Sequence, residues 1–153
     1  MELTINEYLD TLKGKKVAVL GIGISNTPLI KMLLQAGIRV TACDRRERSA
    51  FDSGQLDDLE ALGATVHLGK DYLDYLKGQD VIFRTPGLRP DLPQIQAAVE
   101  EGAQLTSEME TFFRVCPCPI IGVTGSDGKT TTTTIIAKLL EAAGYTVHLG
   151  GNI

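Results

Sequence analysis

The residues best suited to chemistry lie late in the chain, in the run Gly125-Ser126-Asp127-Gly128-Lys129-Thr130-Thr131. A β-branched stretch, Ile120-Ile121-Gly122-Val123, precedes it. After it, Ile135, Ile136, Leu139, Leu140 and Ala143 recur at helical spacing. Strand, glycine loop and helix in that order form a cradle for phosphate, because backbone N–H groups converge on the anion with the helix dipole behind them. Gly128-Lys129-Thr130 matches the end of the Gly-x-x-x-x-Gly-Lys-[Ser/Thr] loop; Val123 holds the leading glycine position, so this is a shortened variant. In such a loop Lys129 reaches the β- and γ-phosphates of ATP, the Thr130 hydroxyl binds Mg2+, and Thr131 adds a further hydroxyl. Lys129 and Thr130 are the candidate catalytic residues, and Thr130 the candidate metal ligand. Thr132, Thr133 and Thr134 are expected to pack or cap. A plain Gly/Ser/Asp turn that happens to hold a lysine is the structural alternative; the order of elements argues against it.

A second glycine turn, Gly21-Ile22-Gly23-Ile24-Ser25-Asn26, follows the run Lys16–Leu20 and opens an apolar-periodic stretch. Glycines there let a backbone approach a pyrophosphate at a helix N-terminus. Asp44 ends the next β-branched run, near where dinucleotide folds place an acid on a ribose. Asn26 replaces the third glycine of the fingerprint, and a merely structural tight turn would explain much of the pattern. The nucleotide need not be a nicotinamide cofactor. Arg84-Thr85-Pro86-Gly87 is a further turn after a strand, read either as a plain bend or as a loop whose glycine admits a ligand.

The elements that must position these residues alternate. Strands are expected at Lys16–Leu20, Arg39–Cys43, Thr65–Leu68, 80–83 and 103–105. Helices are expected at Pro28–Ala36, Gln55–Leu62, Asp91–Glu101 and Ser107–Arg114, several closed by glycine. That order implies a Rossmann-like parallel sheet with helices on both faces, whose ligands bind beyond the carboxyl ends of the strands. Cys116-Pro117-Cys118-Pro119 reads as a linker, after which strands at Ile120–Val123 and Thr146–Leu149 would flank the late helix as the first βαβ of a P-loop ATPase domain. The expected domains are therefore 1–115 and 116–153.

The 153 residues are 43% apolar and carry a formal net charge of −4. This balance argues against nucleic acid as a partner, although Arg45, Arg46 and Arg48 form a local basic cluster. No apolar run reaches the roughly 18 residues of a membrane span. An acidic, polar N-terminus and three cysteines without a disulfide or zinc pattern point to a cytoplasmic protein with reduced thiols.

Together these stretches resemble the Mur ligase family across nearly the whole chain. The resemblance rests on Gly-x-Gly-x-Ser after the first strand, Asp44-Arg45-Arg46 after the second, Thr85-Pro86-Gly87 after the fourth, and Ser107-Glu108-Met109-Glu110. It continues through Thr124–Thr131 to Gly150-Gly151-Asn152-Ile153, and this last points to the branch that adds D-glutamate. The resemblance implies that Ile24 and Ser25 contact a uridine diphosphate moiety, Ser25 through the pyrophosphate. Asp44, Arg45 and Arg46 would form the uracil and ribose end, with Asp44 reading the base. Gly87 would lie against the diphosphate or sugar, Asn152 would reach the muramoyl part, and Gly125 to Thr131 would hold ATP and Mg2+. Asp127 stands where asparagine is common in the family, and Arg45 where threonine is common. The implied reaction joins D-glutamate to UDP-N-acetylmuramoyl-L-alanine during peptidoglycan precursor synthesis. The alanine carboxylate attacks the γ-phosphate of ATP to give an acyl phosphate, which the amine of D-glutamate then attacks.

Family members continue for about two more domain-lengths. The chain therefore reads as an N-terminal part that binds the uridine nucleotide without turnover, and whose second domain is poorly ordered, docks elsewhere or self-associates. Two other classes compete: a nicotinamide-dependent oxidoreductase domain using Gly21, Gly23 and Asp44, and a standalone P-loop switch protein. A dehydrogenase needs neither Asn26 nor a second phosphate loop, and a switch protein needs downstream motifs for which there is no room.

Overall fold

A computed structural model describes residues 3–151 and divides them into two compact units between Pro117 and Cys118. In the first unit, β1 (Lys16–Leu20), β2 (Arg39–Asp44), β3 (Thr65–Leu68), β4 (Val81–Phe83) and β5 (Gln104–Thr106) form a sheet of order β3-β2-β1-β4-β5. Every pairing is parallel. Strand order reverses between β1 and β4, the switch point beside which ligands of open α/β sheets bind, beyond the carboxyl ends of the strands.

Side chains alternate between the two faces, as the pleat requires. Val17 and Val19 of β1, Val40 and Ala42 of β2, and Val81 and Phe83 of β4 point one way. They pack against Leu9 and Leu12 of α1 (Ile5–Leu12), Leu29, Ile30 and Leu33 of α2 (Asn26–Gln35), and Leu56 and Leu59 of α3 (Gln55–Ala61). Ala18, Leu20, Cys43 and Ile82 point the other way, against Leu76 of a 3-10 turn (Tyr72–Leu76) and Ile95 and Ala98 of α4 (Pro93–Glu100). Burial pushes the Cys43 thiol up to about 12, which makes it a packing residue and an unreactive one. Helix α5 (Glu108–Val115) begins at Ser107, whose hydroxyl accepts the N–H of Glu110, and is tied to α1 by Thr111 donating to the Tyr8 hydroxyl at 3.2 Å.

The pattern in the sequence foretells β1 to β5 to within a residue or two, but not α1. Its signal is a capping box: the Thr4 hydroxyl accepts from Glu7 N–H while the Glu7 carboxylate accepts from Thr4 N–H at 2.8 Å. An acidic, polar reading of the N-terminus passes over that spacing.

In the second unit, α6 (Lys129–Ala142) forms as expected and Gly144 follows it at φ +90°. The strands expected at 120–123 and 146–149 do not form; among the described residues this unit has no β-ladder. A strand is defined by hydrogen bonds to a neighbour, and neither run is paired with another strand in a sheet. Ile135 and Leu139, one turn apart on α6, stay 53% and 65% exposed.

Phe83 is fully buried at the centre of the sheet, whereas Ile24 is 97% exposed. Phe83→Ala is expected to cost about 3–5 kcal/mol and Ile24→Ala to stay within about 0.5 kcal/mol. Urea-unfolding midpoints of the two variants check this contrast.

Candidate nucleotide site

Gly21 follows the last residue of β1 at φ +90°, where an L side chain is strained. A Cβ there would also come within 3.2 Å of Thr85 Cγ2, in the loop after β4. The glycine thus lets the β1 and β4 loops close on each other at the switch point. Its N–H donates to Cys43 O at 2.7 Å, and the next N–H, of Ile22, donates to Asp44 Oδ2 at 2.8 Å. Gly23, Ile24 and Ser25 then stand exposed at the start of α2. The Ser25 hydroxyl makes no capping bond to the helix. Asn26, in the place of a third glycine, is buried and donates through Nδ2 to Leu20 O at 3.0 Å and Gly21 O at 2.9 Å. Its amide closes off the end of β1, which explains a polar residue at a close-packed position.

Asp44 terminates β2 and is only 5% exposed. Besides Ile22 N–H, its carboxylate accepts from Arg46 N–H at 2.9 Å, Arg46 Nε at 3.1 Å and Arg46 Nη2 at 2.9 Å. Arg46 Nη2 also donates to Ile22 O at 2.8 Å. Burial by itself would raise the Asp44 carboxyl. The hydrogen bonds from Arg46 and Ile22, with the guanidinium charge, outweigh burial and hold it below the ordinary carboxylate range. The carboxylate is thus already engaged by the chain itself, cross-linking the β1 turn to the β2 loop. The guanidinium carbon of Arg46 lies 4.1 Å from the centre of the Phe51 ring.

Arg45, by contrast, is exposed and takes part in no ion pair among the described residues. Its charge is felt by the half-buried Tyr72, whose phenol is raised by burial against the opposing pull of Arg45. Gly87 lies in an exposed turn closed by Leu88 N–H donating to Thr85 O at 3.0 Å, and nothing comes within 4 Å of where its Cβ would be. The structure therefore brings Ile24, Ser25, Asp44, Arg45, Arg46 and Gly87 to the carboxyl rim of one sheet, with Asp44 beneath the surface and the others on it. Two surface hollows lie elsewhere: one between Leu73, Lys77 and Ala97, the other at the amino ends of β1 to β3 beside Lys16 and Arg39.

The remaining candidates belong to the second unit, except Asn152, which lies outside the described residues. Gly125, Ser126, Asp127 and Gly128 form an exposed loop, with Gly128 at φ +72° just before α6. Lys129 Nζ donates to Gly125 O and, at 3.1 Å, to Ser126 O, so its ammonium lies across the loop. Thr130 and Thr131 are exposed in the first turn. Thr133 and Thr134 donate to the carbonyls of Lys129 and Thr130, four residues earlier, at 2.7 and 2.8 Å, so the helix backbone satisfies their hydroxyls and neither caps its end. Among the described residues no group of three or more His, Cys, Asp or Glu side chains could hold a metal.

Phe51 and Gly69 escape a reading of the sequence, and Thr85 is met there only as part of the Arg84–Gly87 turn. Gly69 was within reach, since it follows β3 as Gly21 follows β1, and its N–H donates to Asp44 O at 3.0 Å. Phe51 stands in an irregular loop with no periodicity to mark it.

A parallel sheet whose order reverses beside a glycine turn, with helices on both faces, defines a Rossmann-like domain. The chain belongs to the Mur ligase MurD-like family, whose N-terminal domain matches residues 15–107. It is 52% identical to the UDP-N-acetylmuramoylalanine–D-glutamate ligase of Acetivibrio thermocellus and 50% identical to that of Clostridium botulinum, in each case over all 153 residues. The chain spans 33% of the length of these relatives. Among solved structures it is similar to a pseudomurein peptide ligase type C from Methanothermus fervidus (27% identity, TM-score 0.54). It is also similar to a murein peptide ligase from Psychrobacter arcticus (26% identity, TM-score 0.55). Each likeness covers 86% of this chain and 27% of the other. Membership of this family favours a ligase over a dinucleotide-dependent oxidoreductase.

Because the Asp44 carboxyl is depressed in the folded chain, the stability it adds is present above the unfolded carboxyl value of about 4 and is lost as pH falls toward the lower folded value. Asp44→Asn is expected to cost about 1–3 kcal/mol at neutral pH. The gap in melting temperature between the variant and the parent chain should narrow as pH drops below about 4. A pH series of thermal melts checks it.

Proposed function

We propose that this chain is the nucleotide-recognising part of an ATP-dependent ligase that adds D-glutamate to UDP-N-acetylmuramoyl-L-alanine in peptidoglycan precursor synthesis. One observation carries the reading: an exposed Gly23-Ile24-Ser25 turn, at the start of a helix without a side-chain cap, stands at the switch point of the sheet, and Arg46 donates to Ile22 O just before it. Uncapped N–H groups and a neighbouring cation suit a diphosphate. The names of the relatives, 50–52% identical over the full chain, supply the particular substrate.

In this reading Ile24 and Ser25 meet the uridine diphosphate, Ser25 at the pyrophosphate. Arg45 and Arg46 flank the uridine end, Arg45 on the side of its diphosphate and Arg46 held in place by Asp44, while Gly87 leaves room for the sugar and Asn152 serves the muramoyl part. Residues 116–153 are the beginning of an ATP-binding domain whose remainder corresponds to the further length of the relatives. The 125–128 loop fits phosphate, because Lys129 already spans two loop carbonyls that an anion would replace as its partners. Lys129 would hold the phosphates of ATP, with Thr131 beside it. Thr130 would contribute one hydroxyl to Mg2+, whose other ligands would come from the nucleotide and from outside this stretch. Bound there, the metal would neutralise phosphate charge. The exposed Ile135 and Leu139 would be covered by the rest of that domain, or by a second copy of the chain in its absence. No helix among the described residues is long and apolar enough to cross a membrane, and we place the protein in the cytoplasm, where its nucleotide substrates are.

Parallel calorimetric titrations with UDP-N-acetylmuramoyl-L-alanine, NADH and ATP test the proposal. Saturable binding of the uridine ligand with no response to NADH is expected. Binding of NADH alone would overturn it in favour of a dinucleotide-dependent domain.

A further inference from the structure

Arg46 is held more tightly than a half-exposed surface arginine needs to be. Its side chain is 42% exposed, yet Nε and Nη2 make three hydrogen bonds, two to Asp44 and one to Ile22 O. Of the five N–H donors of a guanidinium, these three are engaged; Nη1 donates to nothing among the described residues. One face of the plane rests on Phe51, 4.1 Å away, and Phe51 is itself packed against the main core cluster. The result is a rigid planar group at the carboxyl rim with two directed donors left over.

Its charge is largely cancelled. Asp44, bonded to it twice through the side chain, makes the pair close to neutral as a unit, so Nη1 offers geometry more than attraction for an anion. The neighbouring Arg45, exposed and without an ion-pair partner, supplies the uncompensated charge. We infer that Phe51 is a positioning residue of the nucleotide site: by stacking under Arg46 it holds Nη1 to donate to a neutral acceptor of the nucleoside, on its ribose or its base, while Arg45 serves the diphosphate. This inference rests on the nucleotide reading above.

The test titrates the 153-residue chain and its Phe51→Leu, Phe51→Tyr and Arg45→Gln variants with UDP, ADP and pyrophosphate at low and high salt. Phe51→Leu is expected to weaken UDP about two- to fivefold, equally at both salt concentrations, and to leave pyrophosphate unchanged. Phe51→Tyr should restore the affinity. Arg45→Gln should weaken UDP and pyrophosphate alike, with a loss that shrinks at high salt. A matching loss of ADP in Phe51→Leu assigns the acceptor to the ribose, and a loss of UDP alone assigns it to the base. Unchanged UDP affinity in Phe51→Leu, or an equal loss of pyrophosphate, overturns the inference while leaving the nucleotide reading intact. Absence of UDP binding by the parent chain overturns the nucleotide reading and this division of labour with it. The Arg46 Nε–H resonance reads positioning without any ligand: slow exchange in the parent chain that is lost in Phe51→Leu supports the role of the ring, and equal protection in both refutes it.

Discussion

The buried carboxylate of Asp44 is the interaction on which the rim of this domain depends. Taking an ion out of water costs several kcal/mol unless its lone pairs find partners. Asp44 finds four donors, from Ile22 N–H, Arg46 N–H and two nitrogens of the Arg46 guanidinium. Its main-chain carbonyl accepts a fifth, from Gly69 N–H. One residue therefore helps to tie together the chain after β1, after β2 and after β3, and Arg46 adds its own bonds to Ile22 O and, through its carbonyl, from Gly69 N–H.

That arrangement gives the acid a structural task. A carboxylate at the end of the second strand suggests direct contact with a nucleoside, by analogy with dinucleotide folds. Here it also fixes Arg46 and the β1 turn in position. Neighbouring arginines of the same type consequently differ in character: Arg46 is pinned and electrically balanced, Arg45 is free to lend its charge. Gly21 contributes in the same sense, since its positive φ and lack of a Cβ allow the β1 turn to close against Thr85.

The second unit shows the same physics from the opposite side. Helix α6 needs only its own backbone to close its hydrogen bonds, and it forms with Gly128 leading in and Gly144 following it. The flanking β-branched runs need neighbours for theirs, and no ladder forms. Ile135 and Leu139 remain at the surface for the same reason: the apolar face of a helix is buried by packing against something else, whatever its periodicity.

Much of the first unit was legible in the residues alone. Alternating β-branched runs and glycine-closed helical stretches specify strands, helices and a parallel sheet, because side-chain period and backbone freedom are local properties. The glycine turn, Asp44 and the Gly128-Lys129-Thr130 loop could be located for the same reason. Helix α1 was legible too, through Thr4 and Glu7, although its polarity concealed it. Only the tertiary structure decided that Asp44 is buried and engaged, that Asn26 closes the end of β1, and that Phe51 lies under Arg46. Those outcomes depend on which distant groups the fold brings within hydrogen-bonding or stacking distance, and no local pattern in a chain records that.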